Sequence, residues 1–152
     1  MRCFVLTISD TRTEENDTSG DTVAGLLTTG GHEIGGRAIV KDNPADVRVT
    51  VSGWAPIAQA IITTGGTGIS SRDSTYEAIS SLFDKRLDGF GELFRALSYQ
   101  EIGSAAMLTR ACAGTIGKTA VFCLPGSQEA VRLGMLKLIL PEIGHVVREL
   151  TR

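Results

Sequence analysis

Apolar positions in this chain fall into short continuous runs separated by polar, glycine-rich stretches. Residues 2–9 are mostly apolar and β-branched up to Ser9-Asp10, the pattern of a strand buried on both faces that opens into a polar loop. Runs at Ile34–Val40, Ala58–Thr64 and Thr119–Leu124 predict three more strands. Between them the pattern is helical. Ser19 or Gly20 is positioned to cap a helix over Asp21–Leu27 that stops at Thr29-Gly30-Gly31. Pro44 in a first turn and Asp46 predict a helix to about Trp54, against the local strand preference of Val47, Val49, Thr50 and Val51. A helical pattern covers Ser74–Arg110, and another covers Gln128–Leu140, where Pro141 restarts or kinks it before a last turn to Leu150. Strands alternating with helices predict an α/β domain with a largely parallel sheet covered on both faces.

Composition narrows the function classes. The 152 residues, 42% hydrophobic and 21% charged, suit one globular domain over 1–152, and no repeat or linker interrupts it. Fifteen basic against seventeen acidic residues give a net charge of −2, which argues against a binder that neutralises many phosphates, so nucleic acid is not the expected partner. Cys3, Cys112 and Cys123 form no CxxC or zinc-knuckle spacing and read as reduced, packed thiols. With only His32 and His145 there is no HExxH, so any metal must sit on carboxylates and substrate oxygens. The first apolar run is too short for a signal peptide or a membrane span, which makes the cytoplasm the expected compartment.

In an open α/β sheet, ligands bind beyond the carboxyl ends of the strands. Three of those ends carry unusual loops: Ser9-Asp10 with the polar segment behind it, Gly65-Gly66-Thr67-Gly68 with Arg72-Asp73, and Pro125-Gly126-Ser127. Glycines let backbone amides approach an anion, and a helix start beyond them favours negative charge, so the pattern reads as a phosphate or carboxylate cradle. Asp42 also follows a predicted strand and can converge with Asp73 at one rim. Paired carboxylates beside such a cradle suggest Mg²⁺, which takes one or two carboxylates together with waters and substrate phosphates. Gly117-Lys118-Thr119 imitates the end of a P-loop, but the first glycine would fall at Cys112 and the segment precedes a strand, so it reads as a turn. Phe90, Leu93, Phe94 and Leu97 are expected in the core, while Glu92 and Arg95 either face a ligand or form an exposed ion pair. Trp54 reads as packing, His32 as a solvated turn residue, and His145 as lying on a helix surface.

The set Thr63-Thr64-Gly65-Gly66-Thr67-Gly68, Arg72-Asp73, Glu77-Ala78, the segment GFGELFRALS beginning at Gly89, and Leu124-Pro125-Gly126-Ser127 closely resembles the MogA/MoaB family of molybdenum cofactor biosynthesis. The likeness runs from Ile8-Ser9-Asp10 through the terminal helices. It implies a three-layer α/β/α domain that assembles as a homotrimer, and an Mg²⁺-dependent reaction in which the terminal phosphate of molybdopterin attacks the α-phosphorus of ATP, giving adenylylated molybdopterin and pyrophosphate. By the same resemblance Asp42 and Asp73 are essential to catalysis. Asp10, Asp17, Ser19, Gly20, Gly65, Gly66, Thr67, Gly68, Glu92, Pro125, Gly126 and Ser127 are implied to line the nucleotide and molybdopterin pocket. The product would pass to a protein that inserts molybdate.

This chain departs from the family pattern at two places. Lys41-Asp42-Asn43 stands where members commonly carry PDD or PDE, which removes an acid and implies a weaker hold on metal. Tyr76 stands where a proline is common, and is free to contact ligand. Two other readings stay open beside the adenylyltransferase: a non-catalytic MoaB-type protein that binds molybdopterin and hands it on, and a nucleotide pyrophosphatase.

Overall fold

The computed structural model describes Met1–Arg152. Six strands, β1 (Arg2–Ile8), β2 (Glu33–Val40), β3 (Ala60–Thr64), β4 (Lys85–Arg86), β5 (Cys112–Ile116) and β6 (Thr119–Leu124), form one sheet in the order β2-β1-β3-β6-β5-β4. Strands β2, β1, β3 and β6 are parallel, and β5 and β4 extend the sheet as antiparallel strands. The helices are α1 (Thr18–Thr29), α2 (Pro44–Trp54), α3 (Thr75–Ser80), α4 (Asp88–Ile102), α5 (Gln128–Gly134) and α6 (Leu140–Leu150).

Alternation along the central strands splits the apolar core in two. Cys3 and Val5 of β1, Ala60 and Ile62 of β3, and Ala120, Phe122 and Leu124 of β6 face one side, against Val23 and Leu27 of α1, Phe90 and Phe94 of α4, and the C-terminal helices. Phe4, Leu6, Ile8, Ile61, Val121 and Cys123 face the other, against Val47 and Val51 of α2 and Ala78 and Ile79 of α3. The result is a three-layer α/β/α sandwich. After β1 the chain moves outward to β2 and then returns to place β3 on β1's other side. That reversal opens a crevice beyond the carboxyl ends of β1 and β3.

Several expectations need correction. Helix α1 begins at Thr18, capped by Asp17 through a bond from the Gly20 amide, because Asp17 precedes both Ser19 and Gly20 and is held in place by tertiary partners. Strand β3 starts at Ala60, two residues later than expected. The helical pattern from Ser74 to Arg110 contains β4, and the strand β5 follows it unforeseen. Strand β4 is two exposed residues long, and β5 contains Ala113 and Gly114, so neither shows a bulky apolar run. Gly89 and Gly91 lie inside α4. Leu93, expected in the core, is 56% exposed on α4, next to the buried Phe94. The expected helix over Gln128–Leu140 passes through a π-helical turn at Met135–Ile139 and continues as α6, with Pro141 just after that turn, where the altered hydrogen-bond ladder accommodates its missing N–H. His32 is half-buried; burial first, then the N-terminal amine, lowers its pKa.

Trp54 packs on Phe4 at 5.1 Å between ring centroids, and Gly117 and Lys118 make the two-residue turn of the β5–β6 hairpin. Phe94, 1% exposed, stacks with Phe90 at 6.2 Å in the larger half of the core. Phe94→Ala should therefore lower unfolding free energy by about 3–5 kcal/mol, read as a shifted urea midpoint at unchanged slope.

Candidate functional site

Three strand ends meet at Gly65. Its amide donates to the Leu124 carbonyl at the end of β6 (2.9 Å), and its own carbonyl accepts from Thr75 Oγ1 (2.8 Å). Its φ is +97°, and a Cβ there would collide with the Ile8 carbonyl oxygen at the end of β1. Only glycine meets both demands. Gly66, at φ +71°, turns the chain beneath Thr75.

The glycine loop lies between the two acids singled out by the sequence. Asp42 Oδ2 is 3.2 Å from the position a Cβ on Gly66 would take, and Asp73 Oδ2 is 2.7 Å from the corresponding position on Gly68. Asp42 Oδ1 accepts from Ser74 Oγ (2.8 Å), while Asp73 Oδ2 accepts from Ser70 N (2.9 Å) and Ser70 Oγ (2.8 Å). Asp10 joins the same rim: it accepts from the Asp42 amide (3.1 Å) and takes a two-pronged contact from Arg72 (2.9 and 3.0 Å). The Asp42 amide first, then Arg72, holds the Asp10 carboxyl below its ordinary pKa.

On the other side of the crevice, Asp17 is buried and fully engaged. It accepts from Thr7 Oγ1 (2.8 Å), the Gly20 amide (3.0 Å) and Arg37 (3.1 Å), as a buried carboxylate requires. Ser19 Oγ donates to the Gly126 carbonyl (2.6 Å), tying α1 to the Pro125-Gly126-Ser127 turn. Ser127 Oγ caps α5 by accepting from the Ala130 amide (3.3 Å). Three cavities of about 630, 230 and 350 Å³ follow one another along this rim. The largest borders Asp10, Asp17 and Arg37; the second lies over Thr64, Gly65 and Gly126; the third borders Gly66, Thr67, Gly68 and Asp73.

Glu92 stands apart. It is exposed on α4, makes no ion pair with Arg95, and borders none of these three cavities; Arg95 instead donates to the Ala111 carbonyl (3.0 Å). Tyr76 likewise faces away, its ring between the Arg86 and Arg110 guanidinium groups at 5.7 and 5.6 Å.

Four residues to which the sequence pattern gives no role in the site lie in it. Arg110 holds the glycine loop from outside: Nε donates to the Gly68 carbonyl (3.0 Å), Nη2 to the Asp73 carbonyl (3.1 Å), Nη1 pairs with Glu77, and its amide donates to the Thr67 carbonyl (2.8 Å). Its partners are remote in sequence, so no local pattern marks it. Arg37 and Lys41 line the largest cavity, Arg37 paired there with Asp17 and Asp21, and a lone arginine in the apolar run of β2 was a visible signal. Thr64 Oγ1 is buried without a hydrogen-bond partner in the protein, beside the middle cavity. A buried hydroxyl left unsatisfied costs about 1–3 kcal/mol, and a polar ligand in that cavity would recover it.

A family model described as a probable molybdopterin binding domain matches residues 4–145. Molybdenum cofactor biosynthesis protein B of Bacillus cereus is 52% identical, over 100% of this chain and 92% of the relative. The chain belongs to the molybdenum cofactor biosynthesis protein B family. A crystal structure of a molybdenum cofactor biosynthesis protein B is similar at a TM-score of 0.95 and 52% identity, covering 99% of this chain and 96% of the other. The tungsten cofactor synthesizing protein MoaB from Pyrococcus furiosus is similar at 0.91 and 39% identity, covering 99% and 97%. Family membership thus places the glycine loop and its flanking acids in a molybdenum cofactor biosynthesis fold.

Arg110→Gln should loosen the loop without unfolding the domain, seen as faster amide hydrogen exchange across residues 65–73 at an almost unchanged thermal midpoint. Glu77, whose pKa is lowered chiefly by its hydrogen bond from Arg110, contributes above its unfolded value, and that contribution is lost as pH falls through the lowered folded value. The exchange difference between wild type and Arg110→Gln should accordingly shrink on acidification below about pH 4.

Proposed function

We propose that this protein adenylylates molybdopterin, using Mg-ATP and releasing pyrophosphate. The observation that carries the reading is the placement of Asp42 against Gly66 and of Asp73 against Gly68 in one loop. In this reaction the terminal phosphate oxygen of molybdopterin forms a bond to the α-phosphorus of ATP as the bond to the leaving pyrophosphate breaks. No side-chain nucleophile is needed, so the protein's task is to position two anions and offset their charge.

The residues present suit that task. Glycine-loop backbone can lie close to phosphate oxygens, and the largest cavity opens along the same rim, with Arg12 and Lys41 on its walls as cations that could meet an anionic pterin beside the acids Asp10, Glu14, Asp17 and Asp21. No three His, Cys, Asp or Glu side chains make a metal cage of their own. Asp42 and Asp73 instead fit the magnesium mode in which one or two carboxylates share the ion with substrate phosphates. Bound there, magnesium would neutralise charge developing on the leaving phosphates. Ser74 and Ser70 keep the two carboxylates turned to the loop. Exposed Leu93, Tyr99, Ile102, Met107 and Leu108, clustered in sequence on α4 and the turn after it, support self-association, for which the family resemblance implies a trimer.

One observation favours a second reading, a non-catalytic molybdopterin carrier. Asn43 uses its side chain to cap α2, accepting from the Ala45 (2.9 Å) and Asp46 (3.3 Å) amides, so Asp42 has no acidic neighbour in sequence on that side.

Incubation with molybdopterin and Mg-ATP, followed by chromatography, should yield adenylylated molybdopterin. Asp73→Asn should fold normally by circular dichroism yet lose about 100-fold or more in rate. Molybdopterin binding without product would establish the carrier instead, and ATP hydrolysis independent of molybdopterin a pyrophosphatase. Light scattering should return three times the 16.1 kDa chain mass.

A further inference from the structure

Cys112 and Cys123 have no part in the chemistry above, yet the fold sets them face to face. They are direct partners in the antiparallel β5–β6 ladder, and both side chains belong to the α2/α3 side of the sheet, where Cys123 is buried and Cys112 packs against it half-buried. Opposed residues in such a ladder have Cα atoms about 4.5–5.5 Å apart, inside the range of about 4.4–6.8 Å that a disulfide spans.

Their surroundings differ in a way that assigns distinct roles. Cys112 borders a separate cavity of about 430 Å³, whose wall also carries Arg86, Arg95, Arg110 and Tyr76. Arg86 of β4 lies opposite Gly114, two residues along β5 from Cys112 and therefore on the same face. Arg95 donates to the carbonyl of Ala111, the residue just before Cys112. Three arginines thus share the cavity that the half-buried Cys112 borders, while Cys123 is fully buried.

We propose that Cys112 is a site of oxidation by hydroperoxides and that Cys123 is its resolving partner, the two closing a disulfide across the β5–β6 hairpin. The Cys112 thiolate attacks one peroxide oxygen. An S–O bond forms, the O–O bond breaks, and the departing alkoxide or hydroxide takes a proton, leaving Cys112 as a sulfenic acid. The Cys123 sulfur then attacks the Cys112 sulfur; the S–S bond forms, the S–O bond breaks, and the leaving hydroxide takes the Cys123 proton as water. Two thiols and one hydroperoxide give one disulfide, one alcohol or water, and one water.

The electrostatics run in the same direction. A hydrogen bond from Cys123, with the charges of Arg86, Arg95 and Arg110, lowers the Cys112 pKa despite its burial. The bond to Cys112, burial and the Cys112 charge raise that of Cys123. Oxidation of Cys112 removes that charge and so eases the second step. Cys3 is the internal control, buried at the far end of the sheet with its thiol pushed up to about 11 by burial.

The test is mass spectrometry of the full chain after brief hydrogen peroxide treatment and thiol blocking. Trypsin places Cys3, Cys112 and Cys123 on separate peptides, residues 3–12, 111–118 and 119–132. The expected product is a linked 111–118/119–132 pair that reverts with dithiothreitol. Cys123→Ser should instead leave a dimedone-reactive sulfenic acid on Cys112, and Cys112→Ser should abolish oxidation of Cys123. N-ethylmaleimide should label Cys112 more than about tenfold faster than Cys3 at neutral pH, since the thiolate is the reacting form. Arg95→Gln should slow that labelling. Equal labelling of Cys112 and Cys3, absence of the linked peptides, or a link joining two chains in a mixture of ¹⁵N-labelled and unlabelled protein would overturn the proposal.

Discussion

The contact on which the site depends is the one between Gly65 and the ends of the two neighbouring strands. Its amide is bonded to Leu124 of β6, its α-carbon lies against the Ile8 carbonyl of β1, and Thr75 holds its own carbonyl from the start of α3. Parallel strands share one direction, so the loops that follow them all leave at one rim. At Gly65 that general property becomes a contact between three particular backbones. Gly126 closes the arrangement: a Cβ on it would be 3.5 Å from the Gly65 α-carbon, and its carbonyl is tied to α1 by Ser19.

Around this pivot, charge is arranged in opposed pairs. Asp10 meets Arg72, Asp17 meets Arg37, and Glu77 meets Arg110, each joining segments far apart in the chain. Exposed pairs such as Asp10 with Arg72 add little to stability; their effect is to orient loops that have few apolar contacts. The buried Asp17 is different, because it caps α1 and bonds to β1 through Thr7. With these pairs mutually neutralised, Asp42 and Asp73, whose partners are serine hydroxyls and a backbone amide, are the carboxylates left beside the loop without a cationic partner. Under the proposed function, these are the carboxylates that would share a phosphate-bound cation.

The antiparallel extension serves the parallel half. Strand β5 brings Arg110 to the outer side of the glycine loop and sets Cys112 opposite Cys123. A purely parallel sheet ending at β6 would leave the loop open on that side. The β5–β6 hairpin is therefore the element through which the outer cavity and the glycine loop share a wall, Arg110 belonging to both.

Strands β1, β3 and β6 were legible, β3 with its start two residues early, because a strand buried on both faces is apolar at nearly every position, and the glycine loop was legible because only glycine fits where backbones touch. Those local demands, written into residue type, determined the α/β class and the rim on which the glycine loop lies, while the approach of Asp42 to Gly66 and of Asp73 to Gly68 came from the fold. Strands β4 and β5 were not legible: Lys85-Arg86 is exposed, and Ala113-Gly114 leaves room for the Phe83 ring instead of filling space itself. Nor did any local pattern mark Arg110, or separate Glu92, which faces solvent, from the acids that face the loop. Those outcomes rest on hydrogen bonds and packing between residues remote in sequence, and only the tertiary structure decided them.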